Sequence, residues 1–307
     1  MAVQSTTARG AADAFGAEAI KEEEKRPPSW YVIQVLRYAL IIFFTVILLA
    51  PLVLAFLGSF KTNKEVLAWP PVLLPTDWRW ENYVDVWNNV KSASGFPLLP
   101  RWIFNSVFLA AVHVVLQLFF CSLAAYAFAR LRFKGKEVIF AFMLATMMIP
   151  GMVLLIPKYL IINTLGWVNT YWAIIVPGAV GAFGIFLLTQ FLKSIPRDLE
   201  EAAMIDGAGL FTIYSRVILP LTKPALATLA VIEFQGAWND FLSPLVLLNT
   251  PEMFTIPVGL RFLKGTYISF FNIILAGSMF NTIPMLILFA FFSRYFIQGV
   301  TYSGVKG

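Results

Sequence analysis

Cysteine and histidine are nearly absent from these 307 residues: Cys121 and His113 stand alone. One cysteine excludes an intramolecular disulfide framework, and one histidine beside it excludes a zinc site of the Cys/His type. Charge is scarce as well, because Asp, Glu, Lys and Arg make up 13% of the chain where a soluble domain carries about 25%. A phosphate cradle is missing too. Nucleotide hydrolysis needs a Gly-rich loop followed by Lys and Ser/Thr at a helix start, so that backbone N–H groups and the Lys neutralise phosphate oxygens. The nearest trace, Gly135-Lys136, runs into Glu137 and lacks the upstream glycine. No G-x-S-x-G occurs, and a lone histidine in an apolar run reads as an interior polar group ahead of a catalytic base. The chain is therefore expected to be no enzyme by itself and to bind no metal or cofactor of its own.

What fills the chain is apolar: 59% hydrophobic residues and a mean hydropathy of +0.76 make lipid the solvent. A helix needs about 20 apolar residues to cross a bilayer core, and six runs of that kind lie between charges, at about 38–60, 102–129, 138–158, 171–191, 224–248 and 272–293. They predict one all-α transmembrane domain over 37–297. With six crossings both termini share a side. Most of the 23 Lys and Arg, including the cluster Arg130, Arg132, Lys134 and Lys136, fall on that side, which makes it cytoplasmic. The remainder is dominated by the external loop 61–101, and long loops translocate regardless of charge. The net charge of +6 thus serves orientation and does not imply nucleic acid. Residues 1–36 are polar and mixed in charge and read as a disordered cytoplasmic tail. The first apolar run starts late and is long enough to stay as an anchor, unlike a cleaved signal. In the external loop, Pro70, Pro71 and Pro75 predict loop and short helices, and Trp69, Trp78, Trp80 and Trp87 read as headgroup-level aromatics.

The inner loop 193–223, from Lys193 to Lys223, is long for a connector in a bundle. It carries its own helix punctuation: Asp198 as a cap, Glu201 three residues on, and Gly207 as a left-handed stop predict a short helix over 199–206. Ala202 and Ala203 in its middle are small enough for another surface to approach closely, and Glu200, Glu201 and Asp206 offer charge to a basic partner. Leu210 to Leu219 reads as a second amphipathic helix stopped at Pro220. Spacing alone leaves two readings open, a helix that docks into a partner or one lying on the membrane.

The spacing Glu201-Ala202-Ala203, three residues, Gly207, nine residues, Val217, one residue, Leu219-Pro220 resembles the EAA motif of permease subunits of bacterial ABC importers. Asp206 and Ala208 beside the glycine look like its sugar-importer version, and Val217 stands where that family usually has isoleucine. Ser59-Phe60-Lys61-Thr62 leading to Pro70-Pro71, Trp238-Asn239-Asp240-Phe241, and Gln298-Gly299-Val300 to Val305-Lys306-Gly307 also resemble the carbohydrate-uptake group, the MalG-like class. The resemblance covers the chain from about residue 37 onward. It implies a type I ABC importer permease (MetI-like) fold in a bacterial inner membrane, with 193–223 as a coupling loop. In it Glu201, Ala202, Ala203, Asp206, Gly207, Val217, Leu219 and Pro220 meet an ATPase, which the cytoplasmic tail 298–307 also reaches. Implied partners are a homologous MalF-like permease, a dimer of ATP-binding subunits holding ATP and Mg, an extracytoplasmic solute-binding protein, and a sugar or oligosaccharide.

A carboxylate near the centre of a membrane helix costs about 2.5–3.5 kcal/mol, so it faces the bundle interior or water. Glu233 and Asp240, seven apart, share a face with Gly236 between them for close approach, and Asn239 lies to its side. This face either lines a substrate pathway through Glu233, Asn239 and Asp240 or packs against neighbours. For Asn105, His113 and Gln117 interior packing is the stronger reading. Pro150-Gly151, Pro157 and Pro284 mark breaks or kinks. The rival classes are an ion-coupled secondary transporter working through Glu233, Asp240 and His113, against which the lack of a visible inverted repeat counts, an importer of a non-sugar solute such as glycerol phosphate esters, and a membrane-embedded enzyme.

Overall fold

The computed structural model describes residues 28–266 and 270–301. The chain divides into two compact units, one ending at Ala55 and the other beginning at Phe56. The expected tail over 1–36 is helical in its last part, because α1 (Pro28–Gly58) opens at Pro28. Proline fits a first helical position, where its missing N–H would be unpaired anyway. Residues 1–27 of that expected tail lie outside the described residues. Up to Ala55, α1 carries apolar side chains such as Ile41, Phe44 and Leu48 all around its axis, the pattern of a helix surrounded by apolar medium.

The second unit continues with α2 (Asn63–Val66), α3 (Glu81–Asn89), α4 (Leu98–Arg130), α5 (Lys136–Thr146), α6 (Leu155–Thr164), α7 (Trp172–Ile175) and α8 (Ala182–Ser194). Then come α9 (Asp198–Ile205), α10 (Leu210–Thr212), a π-helical segment (Ile213–Ile218), α11 (Leu219–Leu221), α12 (Lys223–Asn239), α13 (Leu242–Leu247), α14 (Ile256–Thr266) and α15 (Phe271–Thr301). Among the described residues no strand forms, only an isolated bridge between Lys91 and Pro97. The expected tail 298–307 begins as the last turn of α15, and 302–307 lie outside the described residues.

Among the described residues three helices are long and apolar enough to cross a membrane, Ser29–Gly58, Leu98–Arg130 and Phe271–Phe291. A fourth is added if Leu210–Leu221 and Lys223–Asn239, bent by 75°, count as one span. The other expected runs are interrupted. Over 138–158 helix stops after Thr146 and restarts at Leu155; over 171–191 it is missing between Ile175 and Ala182; over 224–248 it breaks at Asp240, whose ψ of 118° is extended. Pro150 and Pro177 sit in the first two breaks, where a ring in place of N–H bars helix continuation.

Broken backbone survives at membrane depth only where protein satisfies it, and α4 supplies the partners from one stripe at three- and four-residue spacing. Gln117 Nε2 donates to Gly178 O at 2.8 Å, and Cys121 Sγ donates to Gln117 Oε1 at 3.1 Å. Further along α4, Trp102 Nε1 donates to Pro251 O at 2.7 Å, Asn105 Nδ2 donates to Glu252 O and Phe254 O at 2.9 Å, and Ser106 Oγ accepts from Ile256 N–H at 2.8 Å. The polar residues of this apolar helix therefore hold two irregular segments.

Two clusters of buried side chains pack along α4. One gathers Val86, Leu98, Leu99, Trp102, Trp238, Ile256, Leu263 and Ala276. The other gathers Cys121, Ala125, Tyr126, Ala129, Leu188, Leu192, Ile213, Tyr214, Ile218 and Leu229. In lipid such packing is driven by close van der Waals fit, which small residues permit. A Cβ on Gly184 would stand 2.9 Å from Cys121 Sγ, so α8 lies as near α4 as a glycine allows.

The segment Ser59-Phe60-Lys61-Thr62 organises the loop after α1. Asn82 Nδ2 donates to Ser59 O at 2.8 Å and Lys61 O at 2.9 Å, and the Lys61 ammonium donates to Val72 O. Thr62 and Glu65 form a reciprocal capping box on α2. Glu65 also accepts from the Thr76 hydroxyl and N–H, and these bonds, with that of Thr62, hold its carboxyl down at about 2. Trp78 and Trp80 stand with ring centroids 5.2 and 4.7 Å from Phe60.

Candidate functional site

The inner loop folds as two short helical stretches pinned to α4. Helix α9 runs Asp198–Ile205 with Arg197 at its cap position and no side-chain cap bond. Asp198 is thus the first helical residue and not the cap, because Arg197 already has helical angles (φ −73°, ψ −24°). In the first turn Asp198, Glu200 and Glu201 complement the positive end of the helix dipole. The stop falls where expected: Gly207 has φ +80°, its N–H donates to Met204 O at 3.0 Å, and Ala208 N–H donates to Ala203 O at 2.9 Å, the two bonds of a Schellman ending.

Glu200 does not offer its charge outward. It is 7% exposed, and its Oε1 lies 2.7 Å from Arg130 Nε, at the last residue of α4. Arg130 Nη2 donates to Ile195 O at 2.7 Å. Closeness of charge, not a straight N–H···O line, joins the pair. Removing one partner of such a buried pair costs about 3–5 kcal/mol. Ala203 is half-buried and packs with Ala208 against the cluster around Tyr126 and Tyr214, whereas Ala202 beside it is exposed. The exposed surface of α9 includes Leu199, Glu201, Ala202, Met204, Ile205, Asp206 and Gly207 and is continued by Phe211, with Ile205 86% and Phe211 74% exposed.

The second stretch is not the regular amphipathic helix expected over 210–219. Ile213, Tyr214 and Ile218 are all buried, yet residues five apart fall on opposing sides of a helix with 3.6 residues per turn. The wider π-turn brings Ile213 and Ile218 to one side, and it fixes Tyr214, whose hydroxyl is 2.8 Å from the Ser122 hydroxyl on α4. Val217 and Leu219 are half-buried, Leu219 against the inner cluster, and Pro220 is exposed. Pro220 does not end the helix, since it occupies the opening turn of α11. The chain instead bends after Leu221.

On α12 the expected carboxylate face is divided. His113 Nε2 and Glu233 Oε2 are 2.9 Å apart, joining α4 to α12, and a Cβ on Gly178 would stand 2.9 Å from His113 Nδ1. The break after α7 therefore needs a glycine beside this pair. Asp240 Oδ1 accepts the Ser243 N–H at 3.2 Å and so serves the start of α13. Trp238 is buried and donates to Asn281 O at 3.1 Å. Gln235, Gly236 and Asn239 face outward, and nothing stands within 4 Å of a Cβ at Gly236, so the close approach expected there is not made within the described chain. Among the described residues no group of three His, Cys, Asp or Glu is placed to hold a metal ion.

Sequence comparison matches residues 117–301 to the family described as binding-protein-dependent transport system inner membrane component. Relatives include the arabinooligosaccharides transport system permease protein AraQ of Bacillus subtilis, 36% identical over 278 residues that cover 89% of this chain and 97% of that protein. Another is the trehalose/maltose transport system permease protein MalG of Thermococcus litoralis, 32% identical and covering 87% and 94%. By structure the chain resembles one in a bacterial ABC transporter involved in the import of the acidic polysaccharide alginate, with a TM-score of 0.76, 26% identity, and 88% and 99% covered.

Proposed function

The chain belongs to the family of binding-protein-dependent transport system inner membrane components, and from that premise we propose that it is one half of the translocation pathway of an ATP-driven importer of oligosaccharides. The observation that carries the coupling role is the construction of α9. A buried ion pair fixes it to α4 and a Schellman stop ends it, while Glu201, Ala202, Ile205 and Asp206 are presented outward. The membrane-surface alternative fits this face poorly. Interfacial helices carry Lys and Arg toward anionic headgroups, whereas 198–212 contains Asp198, Glu200, Glu201 and Asp206 and no basic residue. An acidic, apolar knob suits a basic cleft on a protein.

In this reading a separate ATPase dimer, holding ATP and Mg, grips α9 on the cytoplasmic side, and its closure moves α4 and α12 through Arg130, Tyr214 and the bend after Leu221. A homologous permease completes the pathway, and an extracytoplasmic binding protein delivers the solute. Both termini face the cytoplasm. On the pathway Asn239, with Gln235, offers hydrogen-bonding groups, bordered by Glu233 and Asp240. The saccharide assignment rests on relatives named for arabinooligosaccharides and for trehalose/maltose. Reconstituted with its ATPase, partner permease and binding protein, the complex takes up oligosaccharide only with ATP and is indifferent to a protonophore. Uptake that needs no ATP and collapses with the protonophore overturns the proposal in favour of ion coupling through His113 and Glu233.

A further inference from the structure

The turn from α4 into α5 and the link from α8 into α9 border an open cavity of about 560 Å³, lined by Arg132, Phe133, Lys136, Glu137 and Val138 from the turn and by Arg197 from the link. The fold ties the two segments together. Arg130, at the end of α4, donates from Nη2 to Ile195 O at 2.7 Å, and Lys193 Nζ stands 5.6 Å from the centre of the Phe140 ring on α5. The lining is held as well. Lys136 is half-buried with its Nζ donating to Leu131 O at 3.1 Å, and the Phe133 ring lies with its centroid 5.9 Å from that of Phe128 on α4. Arg132, Lys136 and Arg197 outnumber the carboxylate of Glu137, and among the described residues none of the three is ion-paired with a carboxylate. The cavity is therefore positive, which repels a metal ion and attracts an anion.

The neighbouring apolar surface says which anion fits. Helix α5 leads away from the cavity with exposed apolar side chains, Val138 being 59% and Phe142 73% exposed, and in a membrane protein such a surface meets acyl chains. The cations stand where it ends, at headgroup level, and basic pockets between membrane helices at that level take phospholipid headgroups. Free phosphate would use the charge and leave the apolar flank bare, whereas a lipid uses both. The two guanidinium groups bring planar donor sets that match phosphate oxygens, Lys136 adds a point charge, and Glu137 accepts a hydroxyl. We propose that this cavity binds the headgroup of an anionic phospholipid that carries hydroxyls beside its phosphate, as phosphatidylglycerol does. The phosphate sits among Arg132, Lys136 and Arg197, and an acyl chain lies along Phe133 and Val138. Such a lipid bridges the end of α4 to the root of α9. The site requires membrane placement of the chain and is independent of what drives transport.

The test places the complete transporter in phosphatidylcholine nanodiscs that hold a trace of lipid with a photoactivatable acyl chain, either phosphatidylglycerol or phosphatidylcholine, and maps the adducts by mass spectrometry. Residues 131–144 should be labelled at least fivefold more by the phosphatidylglycerol probe than by the phosphatidylcholine probe. Excess inorganic phosphate at constant ionic strength should leave that ratio unchanged. Arg132→Gln combined with Arg197→Gln, two exposed changes that keep the fold, should bring the ratio close to one. Equal labelling by the two probes in wild type, a ratio that survives in the double variant, or no labelling of 131–144 by either probe each overturns the site. Displacement by inorganic phosphate overturns the lipid as its occupant in favour of the free ion. ATP-independent uptake would overturn the importer reading and leave this site standing.

Discussion

Glu200 and Glu201 are adjacent and have opposite fates. Glu200 is enclosed against Arg130, so Glu200→Gln leaves a buried guanidinium without its counter-charge and is expected to destabilise the assembled protein by about 3–5 kcal/mol, whereas Glu200→Leu with Arg130→Met restores most of it. Thermal unfolding of the purified complex distinguishes them. Glu201 is exposed, and an exposed substitution away from a built feature stays within about 0.5 kcal/mol; Glu201→Lys is therefore expected to leave the melting temperature unchanged while uptake falls at least tenfold and ATP hydrolysis persists. In sequence the two are indistinguishable, because the side of an eight-residue helix that turns inward is decided by Arg130, far away along the chain. Glu65 gives a pH signature. Its folded carboxyl is held at about 2 against an ordinary 4.5, so its contribution is full above 4.5 and is lost as pH falls toward 2. Amide exchange at Thr62 and Thr76 should show wild type losing its advantage over Glu65→Gln across that window.

At the scale of elements, the loop 193–223 depends on turns that few residues can make. Gly207 is left-handed and has no neighbour within 4 Å of a Cβ, so the barrier to substitution is conformational and not steric. Gly207→Asn should be tolerated, while Gly207→Val should lose about 1–2 kcal/mol locally and uncouple hydrolysis from uptake, read from the ratio of sugar moved to ATP hydrolysed. Asp198 and Gly207 bracket α9 within a residue of the observed limits, so the helix itself was legible. Its π-helical continuation was not, because periodicity is counted at 3.6 residues per turn and a widened turn hides inside that count. Hydropathy likewise reads transfer of side chains and is blind to backbone, so it shows 138–158 and 171–191 as continuous runs; Pro150-Gly151 marked the first interruption, whereas the one at Pro177 was not read from the sequence. The break at Gly178 predicts that Gly178→Leu, crowding His113, prevents assembly of the transporter, seen as loss of the complex on size exclusion.

In the molecule as a whole, α4 is the common support: Trp102, Asn105 and Ser106 at one end hold the turn before α14, Gln117 holds the break before α8, and Arg130 holds α9. A displacement of α9 is therefore transmitted to a helix that touches both clusters. Glu200, whose charge the sequence offered to a partner, faces Arg130 instead, and Ala203 packs inward while its neighbour Ala202 stays exposed. This division gives the most direct test of the central claim, that α9 is an outward knob held by α4 and gripped by a motor subunit. Cysteines are placed singly at Ala202, Ile205 and Ala203, Cys121 being buried, and the working complex is treated with a short cross-linker. Ala202→Cys and Ile205→Cys should join to the ATPase with yields that change between nucleotide-free and ATP-bound states, and Ala203→Cys should not. Labelling of Ala202→Cys and Ile205→Cys by lipid probes alone, with no ATPase product in any nucleotide state, would contradict the account.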